Sequence, residues 1–254
     1  MILEFLSQGP ALLVKGKKRV LVVADLHLGI ESDLDRHGIH FRSRTKERCE
    51  RLETCIRETM PDLLLLLGDL KHGIPFPSRQ EHREIPDFVE QLRSLVPLGI
   101  VPGNHDVAVE QYFELGELLP KEGVIIDGTA YVHGHMYPAL SLAGMLIIAG
   151  HHHPMVCLRD EVGCSLRSPA YLFSPLNDAC LGFPTREGEK GRSRVLLMPS
   201  FNELTGYDIM RTVKEPFSPI SRCLSREEAE VLLSDGTFLG PIQALEGYEP
   251  DQQP

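Results

Sequence analysis

The 254-residue chain is acidic, with 36 Asp and Glu against 26 Lys and Arg and a formal charge of -10. That balance argues against indiscriminate binding of polyanions, although it leaves room for a local basic groove. Apolar residues at 42% and charged residues at 24% describe an ordinary globular protein with a sizeable core. The longest apolar runs, such as Leu63–Leu67 and Met145–Ala149, are far too short to span a bilayer.

Ala11–Lys15 and Arg19–Val23 read as two strands around the turn Gly16-Lys17-Lys18. A helix is predicted from Thr45 to Met60, with Cys49, Leu52, Ile56 and Met60 on one face and Pro61 as its stop. Leu63–Leu67 is a second buried strand. The spacing of Ile85, Phe88, Val89, Leu92, Leu95 and Val96 predicts an amphipathic helix. Leu98–Val101 is a third strand, and Val107–Leu119 is expected to be helical up to Pro120.

Strand signals then dominate: Val124–Ile126, Thr129–Val132, Met145–Ile148, Met155–Leu158 and Arg194–Leu197. The stretch from Arg159 to Arg192, rich in Gly, Pro, Ser and charge, reads as loop, and the tail beyond Gly247 as frayed. Strand–helix alternation followed by strands predicts a layered α/β fold whose sheet is only partly parallel. With no linker in view, residues 1–254 form a single expected domain: a motif-bearing core over about 11–200 and a C-terminal subregion over about 201–254.

The start of the chain lacks a basic region followed by a long apolar stretch, so no signal peptide is expected. Six cysteines, with no Cys-x-x-Cys pair and no zinc spacing, read as buried or incidental thiols. That reading fits a cytoplasmic protein in a reducing compartment.

Polar clusters follow the apolar runs: Asp25-Leu26-His27, Gly68-Asp69, Gly103-Asn104-His105-Asp106, His133-Gly134-His135 and Gly150-His151-His152-His153. Ends of strands are where an open α/β sheet collects its functional groups. Side chains two apart on an extended or tightly turned backbone point the same way, so Asp25 with His27, and His151 with His153, can each chelate into one cavity. Taken singly, each cluster could be a capping turn or a solvated loop. Carboxylates, an amide oxygen and imidazoles without thiolate suit manganese, iron or zinc better than calcium, and magnesium less well.

In their order these motifs resemble the calcineurin-like metallophosphoesterase superfamily, and most closely the SbcD-related, ICC-like archaeal and bacterial phosphoesterases, a group that includes DNA ligase-associated proteins. The resemblance implies a four-layer αββα sandwich of two mixed β-sheets flanked by helices. It also implies two divalent transition-metal ions, Mn2+ first, with Fe or Zn as alternatives. Carried over residue by residue, Asp25, His27 and His153 bind one ion, Asn104, His133 and His151 bind the other, and Asp69 bridges them. His105 faces the phosphoryl group and Asp106 orients its ring. His135 and His152 match no ligand position, and His72 either lines the cleft or lies on the surface. The implied reaction is phosphodiester hydrolysis by a metal-bridged hydroxide.

For the substrate, Arg36, Arg42, Arg44, Lys46, Arg48 and Arg51 form a basic segment against Glu47 and Glu50, and Lys71, Arg79 and Arg83 follow the second motif. Lining a cleft, they would offer contacts to DNA or RNA phosphates. Such a run is also what a solvated helix face with paired charges looks like. The expected function is therefore a phosphodiesterase, with a nuclease linked to DNA repair as one form of it and a small-molecule (nucleotide) phosphatase or phosphodiesterase as the alternative. A non-enzymatic scaffold of the same fold should lack a ligand or His105, and here all are present. Related enzymes suggest a homodimer, and no membrane partner is expected.

Overall fold

Apolar runs build the first sheet. β1 (Ile2–Phe5), β2 (Leu12–Lys15), β3 (Arg19–Ala24), β4 (Leu63–Leu67) and β5 (Leu98–Ile100) lie side by side in chain order. β2 runs antiparallel to both β1 and β3, whereas β3, β4 and β5 are parallel. Parallel neighbours need crossovers. These carry α1 (Ile30–Arg36) and α2 (Thr45–Thr59) after β3, and α3 (Arg79–Arg93) after β4. The structure, a computed structural model, describes residues 1–159, 165–184 and 192–248.

The two faces of this sheet are read directly from strand alternation. Leu21, Val23, Leu64 and Leu66 pack against Cys49, Leu52 and Ile56 of α2 and Ile85, Phe88 and Leu92 of α3. Their alternates Val20, Val22, Leu65 and Leu67 meet Tyr131, Ile148, Tyr171 and Leu196 of a second sheet. Strands apolar on both faces are thus covered on both. α3 starts at a capping box, Ser78 with Glu81. α2 ends at Met60, which adopts the left-handed conformation before Pro61; Met60 is exposed there rather than on the buried face.

The second sheet contains β6 (Val124–Ile126), β7 (Thr129–Val132), β8 (Leu146–Ala149), β9 (Pro154–Arg159), β10 (Ser165–Pro175), β11 (Arg194–Leu197) and β12 (Tyr207–Asp208). Their order is β12-β9-β10-β11-β8-β7-β6, and β13 (Glu230–Leu233) and β14 (Phe238–Pro241) attach beside β10. β7, β8 and β11 are parallel, while β6, β10 and β13 run antiparallel to their neighbours. Ile209 and Met210 of α4 (Ile209–Lys214) and Ile220 of α5 (Pro219–Arg222) cover its outer face. The layers are helices, mixed sheet, mixed sheet and short helices, the αββα sandwich expected.

Three readings of the sequence are corrected. Val107–Leu119 holds only a short 3-10 turn, Val109–Tyr112. The chain turns at Gly116, with φ 97°, and Glu117 and Leu119 then bond to the backbone of Ile100, which pulls this stretch out of a helix. Arg159–Arg192 contains the eleven-residue strand β10, whose two prolines disguise it. Residues 160–164 and 185–191, Cys164 among them, and the tail 249–254 lie outside the described residues. Finally, Cys180 and Cys223 form a disulfide with Cα atoms 5.6 Å apart, across 43 residues of sequence. Spacing alone cannot reveal such a pairing, and it removes the cysteine argument for a reducing compartment. Among the described residues no helix is long and apolar enough to cross a membrane.

The basic segment divides: Arg36, Arg42, Arg44 and Lys46 are exposed, whereas Arg48 and the half-buried Arg51 turn inward. Arg48 is fully buried and its guanidinium donates to Glu31 Oε1 at 2.7 Å, Asn202 Oδ1 at 3.0 Å and Glu203 Oε1 at 3.1 Å. Arg44 and Arg51 also pair with Glu203, and Arg51 donates to the carbonyl of Phe201 at 2.6 Å. Arg48 thereby ties α1 and α2 to the segment after β11. Removing it leaves the buried Glu31 carboxylate without its cationic partner, so Arg48→Ala is expected to destabilise by about 3–5 kcal/mol, measured by urea unfolding; Arg48→Lys, without the planar fork, should recover only part of the loss. Non-reducing peptide mapping should recover Cys180 linked to Cys223. Burial, with Glu53 beside Cys49, pushes the Cys49 and Cys55 thiols up to about 12 and about 11; both should resist alkylation of the folded protein at about pH 8, near the ordinary thiol range.

Candidate metal centre

Five strand ends meet at one rim. Asp25 and His27 follow β3, Asp69 follows β4, Asn104 and His105 follow β5, His133 follows β7, and His151 and His153 follow β8. The loops interlock by backbone bonds that continue the first sheet beyond its strands: Asp25 N–H to Gly68 O at 3.1 Å and His27 N–H to Asp69 O at 2.8 Å. The second sheet joins through His133, whose Nδ1 bonds the carbonyl of Leu67 at 2.8 Å, and through the amide of His151, which donates to Asp25 Oδ2 at 2.9 Å.

These loops are held in uncommon conformations. Asp25, His27, Asp69, His151 and His153 all have positive φ, from 41° to 70°, a region that costs a non-glycine residue roughly 1 kcal/mol or more. Glycine matters at two neighbouring points. Gly68 has φ 71° and a Cβ there would overlap the His133 ring. Gly103 does not have positive φ; it is required because a Cβ would overlap the Asp69 carboxylate and amide. Its service is close approach, not the tight turn its place in the motif suggests.

Two groups of donor atoms emerge, each with its members within 4.8 Å of one another: Asp25, His27, Asp69 and His153, and Asp69, His133 and His151. Asp69 belongs to both. His27 Nε2 lies 3.4 Å from His153 Nε2 and 3.6 Å from Asp69 Oδ2, and His153 Nε2 lies 3.2 Å from Asp25 Oδ1. On the other side His133 Nε2 is 3.5 Å from Asp69 Oδ2 and 3.1 Å from Asn104 Oδ1. Asn104 completes the second set with an amide oxygen. His27, His72 and His105 also fall within 4.8 Å of one another, so His72 lines the cleft.

The electrostatics favour positive charge in this cluster. Bonding to the Leu67 carbonyl requires the proton of neutral His133 on Nδ1, which turns the Nε2 lone pair towards Asn104 Oδ1 and Asp69, both acceptors. Acceptors converging at this distance repel unless a cation or proton lies among them. Burial disfavours the charged His133 ring, but the carboxylates of Asp69 and Asp25 outweigh it and push its pKa up to about 9. Burial likewise opposes ionisation of Asp69, yet His133 and His27 hold it well below the usual carboxylate range. Burial and the neighbouring His153 ring keep His27 low; burial and His133 do the same for His151. A buried set of converging imidazoles and carboxylates fits divalent transition-metal ions by its donor chemistry, an ion taking the place of the proton that His133 otherwise holds.

Asp106 does not touch the ring of His105. Its carboxylate accepts from the amides of Gly103 at 2.8 Å and Leu70 at 2.9 Å, with Lys71 further off at 3.4 Å. The expected orienting contact is made instead by the carbonyl of His72, 2.6 Å from His105 Nδ1. A buried carboxylate beside three amides is better satisfied by them than by a ring at the cleft wall. Burial and nearby Asp69 push Asp106 up to about 6. His152 is buried beside the donor groups, bonded to Gly150 O and Ser218 Oγ, and burial lowers it to about 3. His135 packs its ring 5.1 Å from that of His133; burial and His133 lower it to about 4.

The segment after β11 carries no motif, yet it reaches the donor loops. Ser200 Oγ donates to Asp25 O at 2.6 Å, and Asn202 Nδ2 donates to Leu26 O at 2.8 Å and His27 O at 3.2 Å. These side chains fix the first ligand loop. The available signal was positional: the segment follows the strand β11, as the other clusters follow theirs. A cleft of about 490 Å³ opens over the donors and includes Thr205, Tyr207 and Phe217.

The family model for calcineurin-like phosphoesterases matches residues 18–160. Among solved structures, the nuclease MPE of Pseudomonas putida is 19% identical, with a TM-score of 0.57 and 94% of each chain covered. Yfce, a phosphoesterase from E. coli, is 18% identical over 56% of this chain and 73% of its own, at a TM-score of 0.35. AQ665 from Aquifex aeolicus, described as a protein of unknown function, is 17% identical over 57% and 82%, also at 0.35. The matched segment spans more than half of the chain and contains every strand-end donor, so this chain belongs to the calcineurin-like phosphoesterase family and is a metal-dependent phosphoester hydrolase.

Proposed function

We propose that the chain, as a single domain, is a binuclear metal-dependent phosphodiesterase. Asp25, His27 and His153 would hold one divalent ion, Asn104, His133 and His151 the other, and Asp69 would serve both. The observation that carries this reading is the double membership of Asp69 in two compact donor groups. The oxygen and nitrogen donors favour Mn2+, with Fe or Zn compatible. When bound, such ions act as Lewis acids towards phosphoryl oxygens and lower the pKa of a water nucleophile to about 7.

The chain's own groups divide the remaining work. With Nδ1 engaged by the carbonyl of His72, His105 has Nε2 left to stabilise or protonate the departing oxygen. Asp106 is a positioning residue: by holding the amides of Gly103 and Leu70 it fixes the loop that carries Asn104 and His105 against the one that carries Asp69. The His105 amide donates to Asp69 Oδ1 at 2.8 Å, which couples the two loops further.

A nucleotide diester is the substrate class we favour, with cleavage of nucleic acid, and through it a part in DNA repair, as its extended form. Likeness in fold to a nuclease supports the extended form. The internal pairing of Arg44, Arg48 and Arg51 with Glu31 and Glu203 supports the second reading, a phosphodiesterase or phosphatase of small nucleotides, because those arginines are already engaged within the protein. A parallel assay with manganese on labelled single-stranded DNA, bis-p-nitrophenyl phosphate and p-nitrophenyl phosphate separates the readings. Turnover confined to the monoester would eliminate diester hydrolysis.

Asp69→Asn is expected to lose bound metal and activity together, read by metal analysis alongside turnover. His105→Ala should keep its metal and lose about 10²–10⁴-fold in kcat. Full activity in protein shown to be free of transition metal would sink the scheme.

A further inference from the structure

Two cavities share one aromatic wall. Tyr207 and Phe217 line both the cleft over the donors and an adjoining pocket of about 280 Å³, completed by Arg211, Thr212 and Glu215. Tyr207 is 48% exposed and Phe217 46%, unusual openness for large rings beside a buried site. The Tyr207 ring is near parallel to that of His153, with centroids 5.7 Å apart and an angle of 29°. Phe217 lies 6.2 Å from Tyr207 and 5.3 Å from His151.

Both rings are held in place. The Tyr207 amide donates to His153 O at 2.9 Å, and β12 pairs with the start of β9. Next to Phe217, Ser218 Oγ bonds His152 Nε2 at 2.7 Å. Each ring is therefore fixed to the same loop that carries His151 and His153, and a phosphate at the donors would put its attached group against this wall.

The adjoining pocket has the chemistry of a base edge. Arg211 and Glu215 pair at 3.0 Å, which cancels net charge while leaving donors and acceptors, so the pocket is ill suited to a second phosphate. Thr212 is buried and its hydroxyl has no hydrogen-bond partner among the described residues. Flat aromatic faces with a neutral polar rim match a planar, hydrogen-bonding ring and match a lipid chain poorly.

We propose that Tyr207 and Phe217 form a stacking subsite for a nucleobase joined to the phosphate undergoing hydrolysis, with the edge of the base turned towards Arg211, Thr212 and Glu215. The subsite rests on the phosphodiesterase reading and names its substrate class.

The test compares kcat/KM for two diesters with one leaving group, thymidine 5′-(p-nitrophenyl phosphate) and methyl p-nitrophenyl phosphate. The ratio of the two values cancels any general disturbance of the metal ligands. Wild-type protein should prefer the nucleoside diester. Tyr207→Ala and Phe217→Ala should each cut the ratio by about 5- to 100-fold, the range expected for one lost base stack, and Tyr207→Phe should restore it. An unchanged ratio in both alanine variants overturns the subsite while leaving the hydrolase reading intact. If neither diester is turned over, the phosphodiesterase reading falls, and calorimetric titration with thymidine 5′-monophosphate decides the subsite separately: weakened binding in both variants supports it and equal binding overturns it. Single-stranded oligothymidylate as a third substrate assigns the source. Faster cleavage of the oligomer with the same Tyr207 dependence points to nucleic acid, and preference for the mononucleoside diester points to free nucleotides; either supports the subsite.

Discussion

The bond from His133 Nδ1 to the carbonyl of Leu67 joins the two sheets at the rim where their strands end. It satisfies a carbonyl that the end of β4 exposes, selects the imidazole tautomer, and aims Nε2 at Asp69 and Asn104. The apolar layer between the sheets, with Leu65 and Leu67 facing Tyr131 and Ile148, sets the distance at which that bond can form. Donor placement thus follows from packing: a shift of one sheet across the other would separate His133, His151 and His153 from Asp25 and Asp69.

Left-handed backbone at five candidate ligands is the conformational cost of this placement. Asp and His enter this region more readily than most non-glycine residues, but five of them around one cleft still need outside support. That support comes from bonds reaching in from elsewhere: Ser200 and Asn202 on the Asp25–His27 loop, the Asp25 carboxylate on the His151 amide, and Asp106 on the loops after β4 and β5. Metal binding would add to this from within, because the same carboxylates and imidazoles that repel or compete for protons become mutually compatible around a cation.

The parts legible in the sequence are those written locally. Leu63–Leu67 followed by Gly68-Asp69 declares a buried strand and the polar turn at its end, and the same grammar exposes the clusters at 25–27, 103–106, 133 and 151–153. Contacts made across long separations were not legible. Cys180 and Cys223 carry no spacing signal; β10 is masked by its own prolines; the apolar residues of 107–119 suggest a helix until the pairing of Glu117 and Leu119 with Ile100 is seen. For His105, adjacency in the chain pointed to Asp106 as the group that holds its ring, while the fold brings up the carbonyl of His72 instead.

The donors and the aromatic side of the cleft come from different stretches of this chain. Every strand-end donor falls within residues 18–160, the segment that matches the family model, whereas the aromatic side of the cleft comes from Leu204–Tyr207 and Phe217. Arg48 links the two, because its guanidinium holds Glu31 on one side and Asn202 and Glu203 on the other, and Asn202 in turn holds the backbone of His27. The basic segment that reads in sequence as a phosphate track is in part a brace that keeps the wall against the donors. A substitution in the wall can then alter what is accepted without altering the ligand set, provided that the brace is left in place.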